Sequence, residues 1–195
     1  MIYLASASPR RKELLEKHGV HFHIVSAEIT EIIDTRFSPA VNAMGIAFQK
    51  TLAAKTNGIQ GIILGCDTIV VVDDEILGKP KSRQEAKEML QQLSGKTHEV
   101  VSGYALLDTD SHGVVDAVTT RVTVKTLTES DIEDMLDTGE YEGVSGSYRI
   151  QGAMGEYIEQ VEGSVESVIG LPVDEIIQTL NRLENKNGEN QKIFP

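Results

Sequence analysis

The feature that most constrains the fold is the apolar run within Gly61–Asp74, a segment built mostly from aliphatic and β-branched residues. A strand that is apolar on both faces is typical of a central position in a sheet that is covered on both sides. Asp67 and Thr68 interrupt this run. A carboxylate inside a buried strand is costly unless it is paired, hydrogen-bonded or bound to a metal. The pattern favours a working carboxylate at Asp67 over a structural salt bridge, because perturbed groups gather at functional sites.

The N-terminal segment predicts a strand, a short loop and a helix. Residues 2–5 are apolar, and residues 12–19 carry helix-forming side chains that end at a glycine. The loop between them contains Ser8, Arg10 and Arg11. Unpaired N–H groups at a helix start can hold an anion, and arginine forks match phosphate oxygens. The segment is therefore either a polyphosphate site or an ordinary Ser8 N-cap followed by two solvated arginines.

A second helix is predicted to begin at Ser38, which would cap it ahead of a proline, and to run to about Gly58. Its large apolar side chains recur at helical spacing and predict the buried stripe: Val41, Met44, Phe48 and Leu52. Lys50 lies off that stripe. It is therefore either exposed to solvent or directed at a second surface such as a cleft.

The remaining chain predicts a mixed α/β domain. A capping box precedes a helix at Ser82, two long strands follow from His98, and another strand is expected within 157–169. Glycines crowd residues 143–155, which allows close backbone approach to a ligand or a partner strand. With no repeats or linkers, we expect a single domain over residues 1–183 and a polar tail over 184–195.

Composition excludes several classes of protein. A single cysteine, Cys66, rules out an intrachain disulfide framework and a multi-cysteine metal site. The absence of a long apolar run or an export signal predicts a cytoplasmic protein that does not enter membranes. The net charge of −12 argues against binding nucleic-acid polymers or anionic membranes, but not against a single nucleotide.

No catalytic triad or zinc spacing is visible, so water oriented by a carboxylate is the simplest nucleophile for a magnesium-bound polyphosphate.

A series of ordered motifs resembles the Maf family of nucleoside triphosphate pyrophosphatases, also called septum formation inhibitors. The matching segments are Leu4–Leu15, Glu31, Lys50, Gly65–Val70, Gly78–Pro80, Leu93–His98, Thr138–Glu140, Tyr148–Gly152 and Val168–Pro172.

The resemblance implies an enzyme that cleaves a nucleoside triphosphate between the α- and β-phosphates with the help of Mg²⁺ or Mn²⁺. It also implies an elongated mixed sheet flanked by helices, two lobes around a cleft, likeness to the inosine triphosphatase fold, and homodimers in many members. The Tyr148–Gly152 segment is similar to that of the dTTP/UTP branch.

Site residues follow from the resemblance by position. Asp67 matches the proton acceptor that activates water, and Glu31 and Asp67 match the carboxylates that hold the metal. The residues expected to hold the triphosphate are Ser8, Arg10, Arg11, Lys50 and Lys79. The positions expected to shape base preference are Arg10, Thr68 and Gln151.

The chain departs from the family pattern at three positions. Val144 stands where the branch usually has a lysine, Arg149 replaces a glycine, and Thr30 replaces an aspartate that is common before Glu31. The alternatives left open are a 7-methyl-GTP or broad modified-nucleotide pyrophosphatase, and a non-catalytic nucleotide-binding regulator of cell division. Retention of Asp67 favours catalysis, because a pure binder needs the cations but not the base.

Overall fold

The computed structural model describes residues 1–25, 27–55, 59–110 and 112–187. Its strands are β1 (Ile2–Leu4), β2 (Phe22–Ile24), β3 (Ile62–Val72), β4 (Glu75–Leu77), β5 (Thr97–Leu107), β6 (Gly113–Val124) and β7 (Ile158–Glu162). Its α-helices are α1 (Pro9–Lys17), α2 (Pro39–Ala54), α3 (Arg83–Leu93), α4 (Glu129–Asp137), α5 (Val165–Ile169) and α6 (Val173–Asn187). Two short 3₁₀ helices span Ser145–Ser147 and Ala153–Tyr157. None of the helices in the described ranges combines the length and apolar character needed to cross a bilayer.

The seven strands form one mixed sheet, as the sequence predicts. The order is β2-β1-β3-β5-β6-β7, with β4 paired to β3. Strand β1 runs parallel to both β2 and β3, whereas β4 is antiparallel to β3 and β7 is antiparallel to β6. The prediction that β3 is a central strand is confirmed, because all but two of its eleven residues are buried.

The chain divides into two compact units. The first contains Met1–Asp67, Ser102–Val118 and the C-terminal part from Gly170, and the second contains Thr68–Val101 and Thr119–Ile169. In the first unit a small apolar cluster forms around Ala5, Ala54 and Ile63. In the second unit α3 and α4 cover β4 and the ends of the long strands with a larger core. Leu90, Leu93 and Leu136 are among its fully buried members.

Helix α2 buries a different face from the one the sequence predicts. Val41 and Leu52 are 45% and 42% exposed. The buried face instead consists of Asn42, Ala43, Ile46, Ala47, Lys50, Thr51 and Ala54. The prediction that the stripe of large residues is the buried face was wrong. The face with small side chains is buried instead, because small side chains allow the helix backbone to lie directly on the sheet. The helix also ends at Ala54, and the rest of its predicted extent, residues 56–58, lies outside the described residues.

Two glycines of the sheet make that close approach possible. A Cβ added to Gly65 on β3 would overlap the carbonyl oxygen of Ala47, and one added to Gly103 on β5 would overlap the backbone of Ala43. Every larger residue at these positions would push α2 away from the sheet. This packing brings the buried face of α2, and Lys50 with it, against β3.

Two further expectations need correction. The strand expected within 157–169 covers only β7 and gives way to α5, because Gly163 turns the chain at φ +125°. At the start of α3, Ser82 accepts from the N–H of Glu85, but the Glu85 carboxylate accepts from Lys81 rather than closing a capping box. Helix α6 continues to Asn187, and residues 188–195 of the expected tail lie outside the described residues.

Candidate active site

Three of the predicted site residues meet in the first unit around the ammonium group of Lys50. Its Nζ lies 2.8 Å from Oδ1 of Asp67 and 2.7 Å from Oε1 of Glu31. It also donates to the backbone carbonyl of Cys66 at 3.3 Å. An ammonium has three N–H donors, so these three acceptors use all of them. Lys50 therefore holds two carboxylates together in one cluster of opposite charges.

The cluster is buried at one end and open at the other. The side chains of Lys50 and Asp67 are each 10% exposed, whereas that of Glu31 is 34% exposed. Asp67 comes from the middle of β3, where the interrupted apolar run indicated a working carboxylate. Lys50 comes from the buried face of α2. Of the two alternatives that the sequence left open, exposure to solvent is therefore wrong, and the side chain points at a second surface.

Glu31 lies on a segment without regular secondary structure, which Asn42 ties to α2. The Asn42 amide nitrogen lies 3.0–3.2 Å from the carbonyl oxygens of Asp34, Phe37 and Ser38, which share its two N–H donors. Its amide oxygen accepts from the Asp34 N–H at 2.8 Å. One buried side chain thus contacts four backbone groups of the segment that leads from Glu31 into α2.

The N-terminal loop and α1 carry the three predicted phosphate ligands Ser8, Arg10 and Arg11. Ser8 is the N-cap of α1, but its hydroxyl makes no capping bond, so the ordinary N-cap interpretation is not what the structure shows. Arg11 is fixed by donating from Nε to the carbonyl of Gly170 at 2.9 Å and from Nη1 to Oγ of Ser6 at 3.1 Å. The guanidinium keeps further N–H donors beyond these two.

Arg11 of α1 and Lys50 of α2 both influence the pKa of the buried Cys66 thiol. Burial raises the pKa of the Cys66 thiol to about 11, and this rise is opposed by the nearby charges of Arg11 and Lys50. The charges of Arg11 and Lys50 therefore both act on Cys66, the residue before Asp67 on β3. The thiol itself is fully buried and protonated at neutral pH, so it is not a nucleophile.

The remaining predicted residues belong to the second unit. Thr68 follows Asp67 on β3 and is half-buried, and Lys79 follows β4 and is exposed. Gln151 is exposed on a turn that leads into the second 3₁₀ helix. Of the departures from the family pattern, Val144 is buried at 7% exposure, whereas Arg149 is exposed.

The chemistry of Glu31 and Asp67 fits a divalent metal. Mg²⁺ prefers oxygen ligands and is usually held by one or two carboxylates, with water and substrate phosphates completing the shell. Both carboxylates already reach a single cation, the Lys50 ammonium, so they are close enough to share one. Across the described ranges no group of three or more His, Cys, Asp or Glu side chains is gathered in a way that could hold a metal.

Comparison with known proteins identifies the family. The family model described as Maf-like protein matches residues 1–183. A dTTP/UTP pyrophosphatase of Clostridioides difficile (strain 630) is 41% identical over 182 residues, which cover 93% of this chain and 94% of the relative. A dTTP/UTP pyrophosphatase of Bacillus cereus (strain ATCC 10987 / NRS 248) is 45% identical over 181 residues, which cover 93% of this chain and 89% of the relative. The chain belongs to the Maf family.

Among solved structures, a HAM1 protein from Coxiella burnetii matches with a TM-score of 0.49 at 15% identity, covering 93% of this chain and 98% of that one.

The structure shows partners of the candidate site residues that the sequence interpretation did not identify. Ser6 accepts from Arg11, and the carbonyls of Gly170 and Cys66 accept from Arg11 and Lys50. Backbone carbonyls leave no trace in residue types, so no sequence signal could have identified the last two. Ser6 stood in the same small-residue loop as Ser8, but nothing in the sequence separates their roles.

Proposed function

We propose that this protein hydrolyses dTTP and UTP to the nucleoside monophosphate and pyrophosphate. The observation that carries the proposal is the convergence of Glu31 and Asp67 on Lys50, together with the charge of Arg11 that acts on the neighbouring Cys66. Its relatives named dTTP/UTP pyrophosphatase match over 93% of the chain, which supports the pyrimidine nucleotides as substrates. We expect the reaction to take place in the cytoplasm, with the protein as a homodimer.

In this proposal Asp67 is the general base. Its carboxylate orients a water molecule and takes a proton from it as the water attacks the α-phosphate. A base must be positioned before it can act, and the contact with Lys50 fixes the carboxylate in one orientation. The pyrophosphate leaving group needs charge neutralisation more than it needs a proton.

Positive charge for the triphosphate comes from the residues of this chain and from a metal. Ser8, Arg10, Arg11, Lys50 and Lys79 would surround the phosphates, and Gln151, Thr68 and Arg10 would select the base. Glu31 and Asp67 would hold Mg²⁺ or Mn²⁺. When bound, such a metal supplies further neutralisation of the phosphate oxygens.

Release of pyrophosphate from a panel of nucleoside triphosphates tests this proposal. The panel contains dTTP, UTP, CTP, ATP, GTP, 7-methyl-GTP and modified nucleotides, each with Mg²⁺, Mn²⁺ or EDTA. We expect metal-dependent release that is fastest with dTTP and UTP. Preference for 7-methyl-GTP or for modified bases would assign a different substrate, and binding without release from any nucleotide would favour the regulator.

The variant Asp67→Asn separates catalysis from binding. It keeps the shape of the side chain but cannot accept the proton, so we expect turnover to fall by at least about 100-fold while nucleotide binding is largely kept. Asp74→Asn, at an exposed turn where asparagine tolerates the positive φ of 64°, is the matched control. Undiminished turnover in Asp67→Asn would remove Asp67 from this role.

A further inference from the structure

The turn that carries Gln151 is anchored on both sides by buried or half-buried polar contacts in the second unit. Tyr148 precedes the turn, and Ala153 follows it at the start of a 3₁₀ helix. The turn itself contains exposed side chains at Arg149 and Gln151. An exposed side chain can recognise a base reproducibly only if its backbone is held in place by other groups.

The anchor before the turn is a buried pair formed by His98 and Tyr148. His98 Nε2 and the Tyr148 hydroxyl lie 2.7 Å apart, and the two rings meet edge to face with centroids 5.5 Å apart. His98 is 1% exposed and Tyr148 is 6% exposed. Burial lowers the pKa of His98 to about 4, so the imidazole is neutral at physiological pH and forms one hydrogen bond with the hydroxyl.

The burial of His98 leaves one of its ring nitrogens unsatisfied. That nitrogen, Nδ1, is buried without a hydrogen-bond partner. A buried polar atom without a partner destabilises the fold, by about 1–3 kcal/mol in typical cases. An apolar residue at position 98 would avoid that cost, so packing alone does not account for a histidine at this position. The contact that it does make is with Tyr148, three residues before Gln151.

The anchor after the turn is Glu140. Its Oε2 accepts from the backbone N–H of Ala153 at 3.0 Å. The carboxylate lies so close to Gly152 that an added Cβ would overlap it. Glu140 itself is fixed just after the end of α4, because its N–H donates to Oγ1 of Thr138 at 3.1 Å.

The chain entering the turn is also constrained. Gly146 and Ser147 both have positive φ, at 71° and 63°, and this conformation is costly for a serine. The serine is held in it by burial and by a contact from its hydroxyl to the sulfur of Met89 at 3.0 Å. The Gly146 N–H donates to the carbonyl of Gly78, the residue before Lys79.

We propose that His98 and Glu140 are positioning residues that fix the Gln151 turn and thereby set base discrimination. The inference rests on the proposed function, because it takes Gln151 as the residue that reads the base. His98 acts through Tyr148 on the N-terminal side of the turn. Glu140 acts through Ala153 and Gly152 on the C-terminal side.

The experiment compares discrimination between UTP and CTP in the wild type, Glu140→Ala, Glu140→Gln and Tyr148→Phe. Both kcat/KM and the Kd of non-hydrolysable α,β-methylene analogues are measured. We expect Glu140→Ala and Tyr148→Phe to lower the UTP/CTP ratio about 10-fold, with an unchanged inhibition constant for pyrophosphate, which has no base. Glu140→Gln keeps an acceptor oxygen for Ala153 and should restore most of the ratio. Glu142→Ala removes a neighbouring exposed glutamate and is the matched control.

The outcomes separate this inference from the proposed function. A wild type that binds UTP better than CTP but releases no pyrophosphate would overturn the proposed function, while the Kd ratios would still test the turn. A ratio that stays constant while all nucleotides lose activity alike would show a merely structural role and overturn the inference. A wild type that does not discriminate in either measurement would overturn it as well. Tyr148→Phe loses only one hydroxyl, so it carries the test if Glu140→Ala does not fold.

Discussion

The Lys50 ammonium lies 2.8 Å from Oδ1 of Asp67, and both side chains are only 10% exposed. All three of its N–H donors are used by Asp67, Glu31 and the Cys66 carbonyl. Lys50 can therefore bind a phosphate oxygen only by releasing one of these acceptors. Glu31 is the more exposed of the two carboxylates. Its contact with Lys50 is therefore the one that solvent, metal or substrate can most readily replace.

Replacing Lys50 with methionine should destabilise the fold. The change keeps an unbranched side chain that is one atom shorter, and it leaves Asp67 buried without its ion-pair partner. Breaking a buried pair in this way typically costs about 3–5 kcal/mol, and the exposure of Glu31 places our expectation near the lower end, at about 3 kcal/mol. Urea unfolding followed by circular dichroism measures the loss.

Lys12→Met is the control for this variant. Lys12 pairs with Glu16 at 3.7 Å on the surface of α1, with 49% and 54% of the side chains exposed. Such pairs contribute little, so the unfolding free energy should change by less than about 0.5 kcal/mol. In the double variant Lys50→Met/Asp67→Asn, part of the loss should be recovered because the unpaired charge is gone. Additive effects of the two substitutions would show that the pair is not coupled.

The packing of α2 predicts opposite effects for two glycine substitutions. Gly65→Ala places a methyl group against the Ala47 carbonyl, which α2 can avoid only by moving away from β3. Overpacking of this kind costs about 1–3 kcal/mol, and turnover should fall as well because Lys50 moves with the helix. Thermal unfolding and pyrophosphate release measure the two effects.

Gly45→Ala is the matched substitution on the helix itself. Gly45 lies within α2, and an added Cβ would meet no atom within 4 Å. Alanine favours a helix interior over glycine, so this variant should be more stable by about 0.5–1 kcal/mol and fully active. Equal stability losses in both variants would mean that the close approach at Gly65 is not what determines the position of α2.

Much of the fold was predictable because its signals are local. The apolar run of β3 and the Ser38 cap of α2 depend on neighbouring residues, and both appear in the structure. The buried face of α2 was not predictable in this way. Its contacts with Gly65 and Gly103 depend on residues far along the chain, and periodicity of large side chains favoured the wrong face.

In the candidate site, too, some residues could be predicted from their neighbours in sequence, whereas contacts between residues far apart in sequence could not. Asp67 was a candidate from sequence alone because a carboxylate interrupts an apolar strand, and the structure shows that side chain buried on β3. The partners of Arg11 include a carbonyl 159 residues away, and those of Tyr148 include a histidine 50 residues away. Only the tertiary structure brings such groups together, and backbone acceptors carry no signature in residue type.

Replacing Asn42 with alanine should release the segment between Glu31 and α2. The substitution removes the acceptor of the Asp34 N–H and the side-chain donor of the Phe37 carbonyl, whereas the carbonyls of Asp34 and Ser38 keep backbone donors. We expect a loss of about 2 kcal/mol in unfolding free energy and faster tryptic cleavage after the exposed Arg36. Gln49→Ala, an exposed position on the same helix, should change neither quantity. Unchanged cleavage in Asn42→Ala would mean that Asn42 does not hold this segment.

The buried His98 should make stability depend on pH in the mildly acidic range. Burial lowers its pKa from 6.5 to about 4, so between these values the unfolded chain binds a proton that the folded chain does not. Unfolding is therefore favoured as the pH falls from about 6.5 towards 4, and the contribution of His98 is fully present only above that range.

His98→Gln isolates this contribution, because glutamine does not titrate and can still hydrogen-bond to the Tyr148 hydroxyl. From pH 7 to pH 4.5 the wild type should lose about 2 kcal/mol more unfolding free energy than the variant, since each pKa unit corresponds to roughly 1.4 kcal/mol. Urea unfolding at both pH values measures the difference, and carboxylates that titrate alike in the two proteins cancel from it. Equal losses in both proteins would show that His98 accepts a proton in the folded state and is not held neutral by burial.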